Sequence, residues 1–190
     1  MTTDGDDARV PLLDRTDLPE EYRYLLDDDV LGELNLFRAM GHAPRTMRAY
    51  MRFGSALWNA GDLTEREREL VILGVARSER SRYEWHQHVG LGREAGVTTD
   101  ELHALARGDG TPLTEREQAV VRYAEAVAAG SVTGPLFAAA AEVTDTETVV
   151  GLTLLAGHYL LTARFLDALA VPTEAAFAGW LPDAEADGGD

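Results

Sequence analysis

Residues 65–88 read ERERELVILGVARSERSRYEWHQH. The run opens with alternating acids and arginines, passes through the apolar stretch 70–76 and closes on a polar segment with two histidines. Thr64 followed by Glu67 forms a capping box, which predicts a helix start at 64. That helix runs to about 79. A second helix over 81–95 follows with almost no linker and is closed by Gly96, so the two are expected to form a tight corner or an antiparallel hairpin. On the first helix Glu69 has Ile72, Leu73 and Ala76 at i+3, i+4 and i+7, an apolar surround for an acid. On the second, Ser81, Glu84, His88, Leu91 and Ala95 share a stripe flanked by Trp85 and Gly92, while Arg82, His86 and Arg93 share another. Glu84 and His88 are i,i+4 neighbours. Glycines at 90 and 92 are expected to let another helix pack closely. Two acids and a histidine in a partly apolar pocket suit general acid–base chemistry: burial raises a carboxyl pKa, and contact with the imidazole opposes that shift. The structural alternative is a helix-surface Glu–His pair, with Glu69 capping or pairing with an arginine such as Arg77.

The rest of the chain is also read as helical, because period-two alternation is scarce. Residues 1–18 are expected to be an irregular leader. Pro19 opens a short helix over PEEYRYLLDDD. A second short helix covers 33–40 and ends at Gly41. Pro44 starts a helix that carries Met47, Tyr50, Met51, Leu57 and Trp58 on one apolar face and stops at Gly61. Thr98 and Glu101 cap a helix to about 107, and RGDGTP over 107–112 is a connector. Further helices are expected at 114–129, 132–142 and 145–169. The last has an uncharged stretch over 148–163, shorter than the roughly 20 apolar residues of a membrane span, and is read as a buried central helix. The tail 183–190 is acidic and expected to be frayed. Leu63-Thr64-Glu65-Arg66-Glu67 recurs letter for letter as Leu113-Thr114-Glu115-Arg116-Glu117. An internal helical repeat and convergent capping chemistry both explain it.

Composition removes several function classes. The 190 residues carry 33 Asp and Glu against 17 basic residues, all of them Arg, for a net charge of −16. Such a charge argues against partners built of nucleic acid or anionic membrane. It also implies self-repulsion that salt relieves. A high-salt cytoplasm explains an acidic, lysine-free chain; a GC-rich genome, which favours Arg and Ala, is the other source. The chain has no Cys, which excludes disulfides, thiolate zinc sites and thiol redox chemistry. The acidic N-terminus lacks the features of a signal peptide, so a cytoplasmic protein is expected.

Glu69, Glu84 and His88 could supply three metal ligands, but Glu-x3-His is the only close ligand pair, and no metal is expected. His158 lies on an apolar face of its helix and reads as a satisfied core histidine. His42 and His103 belong to no constellation, and Met47 and Met51 are core by spacing. No phosphate loop, nucleophile elbow or zinc-protease motif is present.

Glu-x11-Ser-x2-Glu-x3-His, together with LNLFRAMGHAPRTM and YEWHQHVGLGREAGVTTDEL, resembles the carboxymuconolactone decarboxylase and alkyl hydroperoxidase D superfamily. The resemblance is good over 35–107 and looser beyond. In the peroxidase branch the same spacing reads Glu, Cys, Cys, His; here Ser81 and Glu84 stand at the thiol positions. Tyr83 to His88 looks like the decarboxylase-type branch. The resemblance implies an all-α helical bundle over 19–182, with a motif half at 19–107 and a second half at 112–182. It implies a homo-oligomer, trimer or hexamer, and no cofactor. It also implies a lyase-like, acid–base enzyme acting on a small organic acid or lactone: His88 would reprotonate the carbanion left by loss of CO2, Glu84 would orient His88, and Glu69 would complete the cluster. Tyr83, Trp85 and Ser81 are candidate substrate-binding residues, and Arg77, Arg80 or Arg82 is a candidate to hold a substrate carboxylate. The competing reading is a non-catalytic helical assembly protein that keeps the family core.

Overall fold

The computed structural model describes residues 8–27, 32, 34–59, 61–175, 177 and 179–181; the acidic tail and part of the leader lie outside them. Among the described residues the protein is all-α. Eight helices follow one another: α1 (Asn35–Met40), α2 (Pro44–Leu57), α3 (Glu65–Ser78), α4 (Arg82–Glu94), α5 (Thr99–Ala106), α6 (Glu115–Ala128), α7 (Gly134–Val143) and α8 (Thr146–Ala168). Two 3-10 segments, Arg15–Asp17 and Glu20–Leu26, precede them. The segment after Pro19, expected as an ordinary short helix, is therefore the tighter 3-10 form, which suits a short piece.

The expected caps hold the helix starts. Thr64, Thr98 and Thr114 each accept from the backbone N–H three residues on, and Glu67, Glu101 and Glu117 return the bond to the cap's own N–H. α3 is the central helix. Every residue from Leu70 to Ala76 is buried, because α4, α5, α6 and α8 surround it. A helix covered on all sides is apolar all round in its middle. α8 is long and apolar enough to cross a membrane by length and composition. Here it packs against α2, α3, α4, α6 and α7 and buries Leu152, Leu155, Ala156, Ala163 and Leu166. A second apolar cluster joins Leu18, Leu25, Leu26, Phe37, Met40, Met47, Tyr83 and Leu166. The leader contributes to it. The Arg9 N–H donates to the Leu169 carbonyl at 2.7 Å, the Leu13 N–H donates to that of Arg38 at 3.2 Å, and Leu18 is fully buried. Residues 9–18, irregular apart from the 3-10 turn at Arg15–Asp17, are tied to the helices through these contacts.

The recurring pentapeptide marks a repeat in structure. Its two threonine caps share one backbone conformation, φ −63° and ψ 160°. α3 and α6 lie side by side and run the same way, braced reciprocally: Arg66 Nε donates to Glu117 at 2.7 Å and Arg116 Nε donates to Glu67 at 2.5 Å. The correspondence continues to the helix ends. Ser81 N–H donates to the Ala76 carbonyl and Ser131 N–H to that of Ala126, and the residues before them, Arg80 and Gly130, both have positive φ. The same closing bond and positive φ also end α4, α5 and α8, so it is the reciprocal arginine–glutamate brace between α3 and α6 that favours the internal repeat.

The two glycines of α4 differ from expectation. A Cβ on Gly92 would lie 3.2 Å from a methyl of Leu73, a true close approach, whereas one on Gly90 would meet nothing within 4 Å. The tight contact between the paired helices is instead at Gly74, where a Cβ would lie 2.9 Å from Val121. Gly90→Ala is therefore expected to raise stability by about 0.5–1 kcal/mol through helix propensity. Gly74→Val is expected to lower it by about 1–3 kcal/mol through overpacking. Urea unfolding of both variants checks the pair.

Candidate active site

α3 and α4 meet at the tight corner the sequence implies. Arg80 and Ser81 turn the chain, and the Ser81 side chain caps α4 by accepting from the Glu84 N–H. This corner sets Glu69 of α3 opposite His88 of α4. His88 Nδ1 lies 2.8 Å from Glu69 Oε2, both side chains buried. An imidazole Nδ1 beside a carboxylate carries the proton and donates it. Nε2 is left on the other side of the ring, 3.7 Å from Glu84 Oε2, beyond hydrogen-bond distance. The roles of the two acids are thus exchanged relative to expectation: Glu69 orients the ring, and Glu84 stands near its free nitrogen. Because the acids face opposite ring nitrogens, the three side chains do not converge on one point. Among the described residues no group of three His, Asp or Glu side chains is placed to hold a metal ion.

His88 and Glu84 line a cavity of about 570 Å3. Its other walls come from α1 and α2 (Leu36, Phe37, Tyr50, Met51, Trp58), from Leu91 of α4, and from Leu155, His158, Tyr159 and Thr162 of α8. Tyr159 stands edge-on to His88, with centroids 5.1 Å apart. Thr162 donates to the His158 carbonyl at 2.8 Å, so the Tyr50 hydroxyl, 2.5 Å away, donates to Thr162. The rest of the wall is mainly aromatic and aliphatic, with Ser55 and Gln87 as further polar residues, and no arginine lines it.

Burial pushes the Glu84 carboxyl up to about 7; the Glu69 charge adds to the rise and His88 opposes it. Burial by itself would push His88 down. The Glu69 hydrogen bond, with the charges of Glu69 and Glu84, outweighs it and leaves the imidazole above its ordinary value. The Tyr159 phenol is raised well above its normal range, chiefly by burial, and stays protonated.

The remaining sequence candidates fall elsewhere. Trp85 is buried in the core against Trp180 and is not part of the cavity. Ser81 is the α4 cap and lines a different cavity. Tyr83 lies between the two cavities and lines both; its hydroxyl donates to Glu174 at 2.5 Å and accepts from the Leu36 N–H at 3.2 Å. Arg77 pairs with Glu125 at 2.7 Å rather than with Glu69, and Arg80 and Arg82 face away from His88 into the second cavity. None of the three reaches the His88 cavity. His158 is buried, and burial lowers its pKa to about 4. It is not a satisfied core histidine, because Nδ1 has no hydrogen-bond partner and the ring lines the cavity, stacked on Tyr50 at 4.5 Å. Gly54 of α2 makes room for it: a Cβ there would sit 3.1 Å from His158 Nε2. Sequence reasoning also missed Tyr50, Tyr159 and Thr162. The signal for the two α8 residues was the polar pair His158-Tyr159 within an uncharged stretch, whereas Tyr50 was visible only as part of the apolar face of α2.

Residues 44–126, which include both acids and His88, match the sequence model of the carboxymuconolactone decarboxylase family. Those residues are a carboxymuconolactone decarboxylase family segment. The fold of the chain is that of solved structures well beyond the matched segment. A peroxidase-related protein with an alkylhydroperoxidase core from Ralstonia eutropha JMP134 superposes with TM-score 0.76 at 21% identity, over 93% of this chain and 98% of that one. A peroxidase-related protein from Silicibacter sp. TM1040 gives TM-score 0.76 at 16% identity over 94% and 98%. A cysteine-to-alanine variant of the debrominase Bmp8, bound to 2,3,4-tribromopyrrole, gives TM-score 0.76 at 17% identity over 92% and 98%. At such identities the likeness speaks for the fold. No curated protein matches the sequence.

The raised Glu84 pKa has a signed consequence. The folded state binds this proton more tightly than the unfolded chain, so its contribution to stability is full below the ordinary carboxyl value of about 4.5 and is lost as pH rises through about 7. Glu84→Gln is expected to be more stable than the natural protein at pH 8, by about 3 kcal/mol, and close to it at pH 4.5. Denaturant midpoints of both proteins across pH 4.5–8 check this; a constant difference would show that Glu84 ionises normally.

Proposed function

We propose that this protein is a cofactor-independent acid–base enzyme that moves a proton at a carbon next to a carbonyl, on a small, neutral, largely apolar cyclic substrate. The observation that carries the proposal is the buried Glu69–His88 hydrogen bond at 2.8 Å, with Glu84 and the free face of the imidazole on an apolar cavity. Glu69 fixes the tautomer and supports the imidazolium, as the acid of a catalytic triad does. His88 Nε2 is then the group that takes or returns the proton. Glu84, poised near neutrality, is suited to donate a hydrogen bond to the oxygen on which enolate charge develops. Loss of CO2 requires a carboxylate on the substrate, which this cavity has no cation to hold, so proton transfer at the carbon next to the carbonyl is the step its walls support. Within the expectation of an organic acid or a lactone, the cavity favours the lactone, because no guanidinium lines it and a buried unpaired carboxylate is costly. The ring-binding debrominase of the same fold supports a cyclic substrate for walls built from Phe37, Tyr50, Trp58 and Tyr159. A thiol-recycled peroxidase is set aside, since the chain has no cysteine and such chemistry needs a thiolate.

Assembly into a homo-oligomer is part of this reading. Val150, Leu154 and Leu161 are exposed along α8, an apolar strip of the kind that interfaces cover. Sedimentation in molar KCl is expected to show a trimer or hexamer, with dissociation favoured at low salt because subunits of this charge repel; a monomer at micromolar concentration in molar salt would remove this part.

The enzymatic proposal is tested by proton–deuterium exchange, followed by NMR, on a panel of lactones and cyclic ketones. The natural protein is expected to exchange the proton next to the carbonyl of at least one class. His88→Ala should reduce the rate by about 100-fold or more, and Glu69→Gln by a lesser factor. Exchange that survives His88→Ala unchanged, or its absence across the panel, would overturn the proposal.

A further inference from the structure

A second cavity, of about 420 Å3, lies on the other side of Tyr83. Four arginines line it (Arg9, Arg80, Arg82 and Arg164), with two acids, Glu79 and Asp167. Its lining therefore carries a formal charge of +2 in a chain whose net charge is −16. Arg164 is paired with Glu79, Arg9 donates to the Ala168 carbonyl at 2.8 Å, and the Arg82 guanidinium sits 4.6 Å over the Phe177 ring. Arg80 is exposed and makes no ion pair among the described residues.

The backbone gives an independent sign. Among the described residues, Arg80 and Ala170 alone are non-glycine residues with positive φ, at 54° and 48°. Both line this cavity. Each ends a helix at the position where Gly96, Gly108 and Gly130 end α4, α5 and α6, the place that glycine ordinarily occupies. The comparison is sharpest within the repeat, where Gly130 stands at the position equivalent to Arg80. A side chain in the left-handed region costs conformational energy, and such strain gathers at functional sites. Arg80, exposed and lining the cavity, occupies such a position.

We propose that this cavity binds a small dianion of the oxyanion class, a phosphate monoester or a dicarboxylate, with Arg80 and Arg82 as its principal ligands. Planar guanidinium groups match the oxygen geometry of both. The site is separate from the His88 cavity and holds whether or not the proton-transfer reading does; Tyr83, in the wall of both, is the contact through which occupancy would be felt at His88.

The test is thermal unfolding of the full chain in KCl with inorganic phosphate or succinate added at matched ionic strength. The natural protein is expected to gain about 3 °C or more at saturation with one of the two, and the one that acts tells phosphate from dicarboxylate chemistry. Arg80→Gly is the informative variant, because it removes the ligand and relieves the backbone together. It is expected to unfold at a higher temperature than the natural protein without anion and to lose the anion-dependent shift. Arg82→Gln is expected to weaken the shift. No shift beyond the KCl control, or a shift retained in full by Arg80→Gly, would overturn the proposal. A response that appears only after removal of residues 183–190 would do so too, since it would make the acidic tail the occupant.

Discussion

The hydrogen bond between Glu69 and His88 is the constraint around which the first half of the molecule is arranged. A carboxylate at the centre of an apolar helix cannot remain unpaired. Its partner must come from a neighbouring helix at a fixed distance, which requires a short, sharply turned connection between α3 and α4. Ser81 provides the cap that starts α4 immediately after that turn, and Gly92 lets α4 settle against Leu73. α8 then covers the pair with Tyr159, and the opening toward α1 and α2 is left as the cavity.

Much of this was legible in the sequence because it is local. The threonine–glutamate boxes at 64, 98 and 114, the proline start of α2 and the apolar run of α8 each state a helix limit within a few residues. The stripe through Glu84 and His88 identified the face of α4 that turns inward. What could not be read was which acid holds which nitrogen, because that depends on how α3 and α4 rotate about the corner. The fate of Trp85 was hidden for a similar reason. It flanks the same stripe as His88, but its bulk is taken up by Trp180, more than ninety residues away in the chain. The far wall of the cavity comes from α2 and α8, which only the tertiary fold brings together.

The charge pattern explains a further departure. Arginines beside the motif were natural candidates to hold a substrate carboxylate, yet each has a different task or a different face. Arg77 serves the α3–α6 joint through Glu125, while Arg80 and Arg82 lie beyond Tyr83. The His88 cavity is left without a fixed cation, and the imidazole and carboxyl groups there are free to set one another's protonation. The two repeats also differ in what they carry: aligned on the caps Thr64 with Thr114 and Ser81 with Thr133, the positions equivalent to Glu69, Glu84 and His88 in the second copy are Ala119, Leu136 and Ala140. The second copy supplies packing and the first supplies the acid–base groups.

The reciprocal brace between Arg66–Glu117 and Arg116–Glu67 bears on how the molecule opens. Each half holds the other's first helical turn, so neither α3 nor α6 can fray from its start without breaking an ion pair that also caps its counterpart. The two helices should lose their amide protection together, in the slowest-exchanging unit of the protein. α7, in which Ala140 is the one buried residue, is outside that unit and is placed to open first. Local fluctuation is thereby directed to the copy that lacks the glutamate–histidine cluster, and the corner that holds Glu69 to His88 adjoins the most protected pair of helices.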